Sequence, residues 1–435
     1  MDLKLSLVQL CSKILTKMDR GGSLPGHLGL IMDKEFIQRF NMPNIVILVT
    51  GTNGKTSTSN MITECLRANG LSVINNRRGD NLNYGIATLL ASNADSNYNI
   101  KANAAVIEID ELTLYRQFNN LKPTHLVLTN FFRDQLDRAG EMETIIRKIE
   151  EVVKDFKGDL VLNGDDPNIV RIGEANQNGK VHYYSVGEYD KSKKETDEAS
   201  EGKFCPLCNK PLKYEYYQYS HIGRFKCEND NFGDIEKDVF VEKINDDYSF
   251  MVEGYEYHPR LKAIFNIYNC AAVINTVKTL NLNYKDVADN IFSNFEVKEG
   301  RNELFHLNKD CRLNLIKNPT GANEVMKYVL SDDKDKNVCI ILNDNIPDGT
   351  DISWIWDAHF ERLNVDSVKH IICSGLRAYD IALRLKYEGL KDKIIVIEDF
   401  KEVINYLNND NLESHILSTY TALLKMRSLL EKESL

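Results

Sequence analysis

The sequence predicts an α/β protein: a doubly wound central domain, a small cysteine-bearing ribbon inserted into it, and a second α/β domain at the C-terminal end. Three observations carry that prediction. Hydrophobic runs of strand length alternate with amphipathic stretches of helix length, the pattern of parallel sheets covered by helices. A glycine-bearing turn, Gly51-Thr52-Asn53-Gly54-Lys55-Thr56, separates the first buried run from the first long amphipathic stretch. The alternation breaks over residues 188–235 and restarts near Phe295.

Length and composition agree with several domains. At roughly 100–200 residues per domain, 435 residues make about two to four. The chain is 43% hydrophobic and 27% charged, which supplies real cores and excludes wholesale disorder. Its 64 acidic against 54 basic residues leave a net charge of −10, which argues against nucleic-acid binding. No apolar run reaches the ~20 residues of a membrane span. The first residues lack the long apolar region and cleavage site of a secretory signal. Of nine cysteines, Cys11, Cys65, Cys270, Cys311, Cys339 and Cys373 are scattered singly, which fits a reducing cytosol better than a disulfide framework. The expectation is a soluble, cytoplasmic protein.

The elements follow in order. Residues 1–39 form an N-terminal helical segment. Leu3, Leu5, Leu7, Leu10, Ile14 and Leu15 make Met1–Arg20 amphipathic, so it either packs on the protein's own core or touches the inner face of a membrane. The central domain spans 40–295. Asn44–Thr50 reads as a buried strand, and a helix follows from about Thr56 to Asn69, with Gly70 in the place of a C-terminal cap. Leu71–Asn75, Ala104–Ile109, His125–Leu128 and Asp159–Leu162 repeat the strand pattern, and Ile264–Leu280 closes the domain as a helix. Glu188–Lys203 is charge-rich and reads as a solvated loop; the insert, 203–235, follows, and alternation in Lys213–Tyr219 suggests a hairpin. The C-terminal domain, 296–435, shows strands at Arg312–Lys317, Val338–Leu342, Val368–Cys373 and Lys393–Ile397, with helices at Leu376–Tyr387 and Phe400–Asn408. On such open sheets ligands bind at the carboxyl ends of the strands.

The glycine-bearing turn stands at such an end. Successive backbone N–H groups and the positive helix terminus bind phosphate oxygens there, which assigns Gly51, Thr52, Asn53, Gly54, Lys55, Thr56 and Ser57 to an ATP site. Lys55 would pair with the β and γ phosphates and Thr56 would reach Mg²⁺. Counted from Gly51, the loop is shorter than the general G-x-x-x-x-G-K-[ST] form. Glu108, at the end of the Ala104–Ile109 strand, is the expected second holder of Mg²⁺, against a solvated acidic turn Glu108–Glu111. Thr129-Asn130-Phe131-Phe132-Arg133-Asp134-Gln135-Leu136-Asp137 follows the next strand, where helix capping competes with function.

In the insert, Cys205-Pro206-Leu207-Cys208 is a C-x-x-C knuckle, and Cys227-Glu228-Asn229-Asp230 offers a carboxylate where a second knuckle would carry a thiolate. Two readings stand. Cys205, Cys208 and Cys227 hold a structural zinc with Asp230 or His221 as the fourth ligand, or the site has degenerated and apolar packing holds the ribbon.

The order of these segments resembles the Mur ligases, ATP-dependent enzymes that include the muramyl-peptide ligases and folylpolyglutamate synthetase. It rests on Gly-Thr-Asn-Gly-Lys-Thr, the Glu108 strand end, TNFFRDQLD, Asn163-Gly164-Asp165-Asp166-Pro167, Phe265-Asn266-Ile267-Tyr268-Asn269 and Gly300-Arg301-Asn302-Glu303. The resemblance implies a Mur-ligase-like central ATP-binding domain and a Rossmann-like C-terminal domain. It gives Asn266 and Arg301 the nucleotide contacts, with Asn269 as a second candidate in the same segment. The Gly and His that usually precede that first Asn are Ile264 and Phe265 here.

The C-terminal half narrows the resemblance. Lys317-Asn318-Pro319, the Asp348-Gly349-Thr350-Asp351-Ile352-Ser353-Trp354-Ile355 segment and the cysteine insert together look like one branch of the family, the Mur-ligase-like subunits of lipid II isoglutaminyl synthases. The similarity runs from Leu24-Pro25-Gly26 to Tyr420-Thr421. It implies a heterodimer with a glutaminase subunit, GatD, whose Cys and His release ammonia while Asp351 completes the triad. It also implies that Mg·ATP converts the α-carboxylate of D-glutamate in the lipid II stem peptide to an acyl phosphate, with Lys55 and Arg301 stabilising the moving phosphoryl group and closure about Glu296–Asn302 excluding water. Ammonia then yields D-isoglutamine. A ligase that adds an amino acid, or a non-catalytic ATP-binding scaffold, is the competing expectation; a surface loop anchored by Trp354 and Trp356 is the plain alternative for the Asp351 segment.

Overall fold

The computed structural model describes residues 2–17, 22–76, 80–132, 142–196, 202–296 and 303–434. These form two compact units, one ending at Glu296 and one beginning at Glu303.

In the first unit the strands are β1 Ile45–Thr50, β2 Val73–Asn75, β3 Ala104–Glu108, β4 His125–Leu128, β5 Asp159–Asn163, β6 Lys180–Val186, β7 Lys213–Tyr219, β8 Ile222–Lys226, β9 Val239–Ile244, β10 Phe250–Val252 and β11 Tyr255–Tyr257. Nine of them make one sheet in the order β11-β10-β9-β6-β5-β4-β1-β3-β2, and β7 and β8 pair as a separate antiparallel hairpin. The sheet is parallel from β2 to β9 and antiparallel beyond. Helices are α1 Leu3–Lys17, α2 Leu24–Met32, α3 Lys55–Ala68, α4 Asn83–Ser92, α5 Glu111–Leu121, α6 Met142–Val153, α7 Pro167–Ala175, α8 Ile264–Thr279 and α9 Asp286–Asn294.

The two-residue period of β1 distributes its side chains between two cores. Val46 and Leu48 pack with Leu5 and Val8 of α1, Ile86 and Leu90 of α4 and Leu114 of α5. Ile47 and Val49 face the other way, onto Met61 and Ile62 of α3 and Ile267 and Ala271 of α8. The N-terminal helices are thus part of the first unit's core. The strand order turns back at β1, which lies between β3 and β4, and that is where a doubly wound sheet opens a crevice for a ligand.

The second unit has β12 Glu303–His306, β13 Asp310–Leu315, β14 Lys336–Ile341, β15 Val368–Ser374, β16 Ile394–Val396 and β17 Glu413–Ser418, with α10 Pro319–Val329, α11 Ala378–Tyr387, α12 Phe400–Asn409 and α13 Tyr420–Glu433. Its sheet order is β12-β13-β17-β14-β15-β16, antiparallel only between β12 and β13. Four strands were expected here and six are present. Two strands escaped, the short edge strand β12 and β17, which sits at the centre of the sheet with Ser414 and His415 buried beside Ile416 and Leu417. Those polar side chains break the apolar run by which a buried strand is recognised.

Candidate functional site

The turn after β1 is shaped by its neighbours at the crevice. The Thr52 N–H donates to the Asn130 carbonyl (2.7 Å) and the Asn53 N–H to Asn130 Oδ1 (2.9 Å). Thr129 Oγ1 and Asn130 Nδ2 donate to the Asn53 carbonyl (2.7 and 3.1 Å). Thr52 Oγ1 is bracketed by Phe132, accepting from its N–H (2.9 Å) and donating to its carbonyl (3.2 Å). Gly54 caps α3 at φ +85°, and a Cβ there would stand 2.3 Å from Asn269 Oδ1, so α8 closes tightly on the loop.

Lys55 begins α3 and is buried. Its Nζ donates to the Gly51 carbonyl and to Glu111 Oε1 (3.0 Å). Burial opposes the ammonium, but the Glu111 and Glu108 carboxylates outweigh it and hold the Lys55 pKa above its ordinary value. Burial raises the Glu111 carboxyl, with Lys55 acting against that rise. Glu111 is the partner that sequence reasoning missed, although it belongs to the acidic run Glu108–Glu111.

Glu108 ends β3 and is 2% exposed. Asn76 bonds both its N–H (2.9 Å) and its carbonyl (2.7 Å), and Asn81 Nδ2 donates to Oε1 (2.9 Å). Oε2 is buried without a hydrogen-bond partner among the described residues. A fixed carboxylate with one oxygen to spare suits a divalent cation, so Glu108 fits Mg²⁺, and Thr56 stands in the first turn of α3. Asp110 has a structural task, capping α5 through Leu112 and Thr113 N–H (3.1 and 3.2 Å).

The Asn163–Pro167 segment braces this crevice from below. Asn163 Nδ2 donates to the Thr129 carbonyl (2.9 Å). Asp165 accepts from Tyr268 Oη (2.7 Å) and the Val186 N–H (2.8 Å), and Asp166 from the Phe131 N–H (2.8 Å) and the Asn168 N–H (2.9 Å). Burial pushes the Asp165 carboxyl up. Asn266 and Asn269 lie one turn apart on α8, joined at 3.3 Å. Asn266 also borders a small apolar recess lined by Met61, Leu261, Cys270 and Phe292. Arg301, with most of the Glu296–Asn302 segment, lies outside the described residues, as do Arg133–Asp137.

The insert brings Cys205, Cys208, Cys227 and Asp230 together, their ligand atoms all within 4.8 Å of one another. The Leu207 and Asn229 N–H groups donate to the Cys205 and Cys227 sulfurs (3.4 Å each), and the Phe232 N–H to Asp230 Oδ1 (3.1 Å). Three sulfurs and one carboxylate, with backbone donors behind them, suit a tetrahedral zinc. His221 is not in this group. The turn between β7 and β8 carries it to the central domain, where its ring packs on Phe132 (4.8 Å) and Nε2 lies 3.4 Å from Asp166 Oδ1. Asp230 is thus the fourth candidate ligand that the structure brings to the cysteines.

In the second unit, Asp351 accepts from the Ser353 N–H (2.8 Å) and so starts the short turn Ser353–Trp356. The preceding loop is braced. Asp348 accepts from the Thr421 N–H (2.6 Å), Asn343 and Asn345 donate to Thr421 Oγ1 (3.1 and 2.9 Å), and Asp344 pairs with Arg377 (2.5 Å). Trp354 is buried, as the anchored-loop alternative expects, but Trp356 is half exposed, edge-on to Tyr387 (5.8 Å) and beneath Arg384. Tyr379, Leu383 and Tyr387 are exposed along one side of α11, and Leu376 is exposed just before it.

Comparison with known proteins accords with this geometry. The Mur ligase middle domain model matches residues 49–232 and the MurT ligase C-terminal model residues 315–423. The lipid II isoglutaminyl synthase (glutamine-hydrolyzing) subunit MurT of Streptococcus pneumoniae is 33% identical over 447 residues, 99% of this chain and 98% of its own. The subunit of that name from Staphylococcus aureus is 33% identical over 386 residues, 87% of this chain and 86% of its own. A pseudomurein peptide ligase type C from Methanothermus fervidus shares the fold, with a TM-score of 0.69 at 20% identity over 91% of this chain and 80% of that one. Among the described residues no helix is long and apolar enough to cross a membrane. The chain belongs to the Mur ligase family, in its MurT branch.

Proposed function

We propose that this chain is the synthetase subunit of an ATP-dependent amidotransferase that converts the α-carboxylate of D-glutamate in the lipid II stem peptide to the amide. The observation that carries the reading is one chain holding two things: a phosphate loop with Lys55 and a spare Glu108 oxygen, and, in a segment matched by the MurT C-terminal model, a braced loop ending at Asp351.

A carboxylate is a poor electrophile, so it must first be activated. Its oxygen attacks the γ-phosphorus of ATP, the bond to the bridging oxygen breaks, and ADP leaves. Ammonia then attacks the carbonyl carbon of the acyl phosphate, phosphate departs, and the nitrogen sheds a proton to leave the amide. The Gly54, Lys55 and Thr56 N–H groups at the start of α3 and the Lys55 ammonium offset charge on the phosphates as it moves, while Asn130 engages the Thr52 and Asn53 N–H groups and holds the loop's shape. Thr56 and Glu108 would hold Mg²⁺, which supplies further charge neutralisation when bound. Asn266 suits a contact with the base, and Arg301 completes the nucleotide contacts.

Ammonia comes from a glutaminase partner, GatD, with Asp351 orienting the partner's imidazole. The half-exposed Trp356 and the exposed side of α11 lie in the same unit as Asp351 and support docking there. Cys205, Cys208, Cys227 and Asp230 hold a structural zinc; metal analysis finding none in the purified chain would reject it. The lipid-linked acceptor places the enzyme at the inner membrane face. Leu3, Leu7, Leu10 and Ile14 support contact there: they line one side of α1, opposite buried Leu5 and Val8, with exposed Lys13 and Lys17 at its edge and no acid in the helix.

The deciding experiment is mass spectrometry of lipid II incubated with this chain, Mg·ATP and ammonium, with and without amino acids. The small mass decrease of carboxylate-to-amide exchange supports the proposal, and an amino-acid-dependent gain makes the chain a conventional ligase. In the complex with its glutaminase, Asp351→Asn abolishes glutamine-driven amidation and spares the ammonia-driven reaction; equal loss of both refutes the triad role.

A further inference from the structure

His221 sits at the tip of the insert's hairpin, 1% exposed, with neither ring nitrogen hydrogen-bonded among the described residues. A buried imidazole in that condition is costly unless its placement serves something. The placement is defined. Ser220, at φ +47°, turns the chain so that the ring enters the central domain behind the phosphate loop. There it packs on Phe132 (4.8 Å) and directs Nε2 at Asp166 (3.4 Å). Asp166 holds the Phe131 N–H, and Phe132 holds Thr52 through both its N–H and its carbonyl. The hairpin is fixed to the same place by the Gly223 N–H, which donates to the Asp165 carbonyl (3.0 Å), and Tyr214 Oη donates to the His221 carbonyl (3.0 Å). His221 is therefore two contacts from the loop that would cradle phosphate.

We infer that the ribbon insert buttresses the phosphate loop, and that His221 is a positioning residue for nucleotide binding, acting through Phe132 and Asp166 on Thr52. The inference rests on the ATP-site reading. Without the ring, Phe132 loses the surface that sets its position, and Thr52 loses a fixed pair of hydrogen-bond partners. The loop then samples arrangements that bind triphosphate less well, so affinity falls although no ligand contact has been removed.

The test titrates the full chain with Mg·ATP by calorimetry, well below the unfolding temperature. His221→Ala and the volume-preserving His221→Leu are expected to weaken binding roughly 3- to 30-fold. His221→Phe, which keeps a ring against Phe132, recovers part of the loss. The control is Phe225→Leu, in the same insert but packed on Tyr214 and Phe232; it lowers the unfolding temperature and leaves the affinity alone. Wild-type affinity in His221→Leu, or an equal loss in Phe225→Leu, overturns the inference. Failure of the unsubstituted chain to bind Mg·ATP overturns the ATP-site reading instead.

Discussion

Gly54→Ala tests the phosphate loop most sharply, because the chain supplies its own control. Gly54 and Gly70 both have φ +85°, at the two ends of α3. An alanine in either place carries the same backbone penalty, about 1 kcal/mol. The surroundings differ. A Cβ on Gly70 meets nothing within 4 Å, whereas one on Gly54 stands 2.3 Å from Asn269 Oδ1. Asn269 is buried and must swing away, giving up its bond to Asn266 and leaving amide groups unpaired, at about 1–2 kcal/mol more. Gly54→Ala is thus expected to cost about 2–3 kcal/mol against about 1 for Gly70→Ala. For a unit of this size the extra loss reads as roughly 2–6 °C in Tm. Mg·ATP binding drops at least tenfold in Gly54→Ala, since the loop itself moves, and is unchanged in Gly70→Ala. Adding Asn269→Ala to Gly54→Ala restores part of the lost stability, a non-additivity that marks direct contact. Calorimetry and thermal melts of the wild type, Gly54→Ala, Gly70→Ala, Asn269→Ala and the double variant decide it. Equal Tm values for the two single glycine variants, with wild-type ATP affinity in both, refute the close approach of α8 to the loop.

Other expectations follow from neighbouring contacts. Lys55→Met abolishes ATP-dependent amidation and leaves Glu111 buried without its cation, at a cost of about 3 kcal/mol that Glu111→Gln partly relieves; chemical denaturation measures both. His182 lies between Asp238 (3.0 Å) and Asp159 (2.9 Å), and the hydrogen bond to Asp238, opposed by burial and helped by Asp159, raises its pKa. Its stabilisation is full below the unfolded value of about 6.5 and fades as pH rises through the higher folded value, so His182→Gln lowers Tm more near pH 6 than near pH 8.5. Leu7→Asp with Leu10→Asp on α1 removes sedimentation with anionic vesicles while activity on a soluble stem-peptide substrate persists; unchanged sedimentation refutes the membrane contact.

Much of the fold was legible because burial on both faces leaves an unbroken apolar run. Val46 to Val49 read directly as a central strand, and the alternating tyrosines of Lys213–Tyr219 as half of a hairpin, which is what forms. Two of the strands that escaped carry polar residues satisfied or buried by tertiary context: His182 and Ser185 in β6, Ser414 and His415 in β17. The glycine-bearing turn between β1 and α3 was equally plain, since its residues are consecutive. Its partners were not. Asn76 and Asn81 reach Glu108 from a different segment, and Asn269 meets Gly54 only once α8 has packed. His221 shows the limit most clearly. Its spacing from the cysteines fits a metal ligand, yet a single turn at Ser220 decides which way the ring faces, and no spacing rule contains that choice.

The route of the chain around the insert has an evolutionary consequence. β6 and β9 are adjacent and parallel, with Tyr184 beside Val239 and Val186 beside Val241, so the chain leaves and re-enters the sheet within a few residues of the same level. Parallel neighbours cannot be joined by a tight turn, and a connection of about a dozen residues or more is obligatory. The ribbon occupies that obligatory span, so it cannot be trimmed away without replacing the link. It is nevertheless free to change in sequence and size, because its two ends are pinned side by side by the sheet. A module anchored in this way is exchangeable material for selection, and its hairpin tip touches Phe132 and Asp166 of the central domain. On the inference drawn from His221, editing this segment would retune nucleotide binding without changing a residue of the turn after β1.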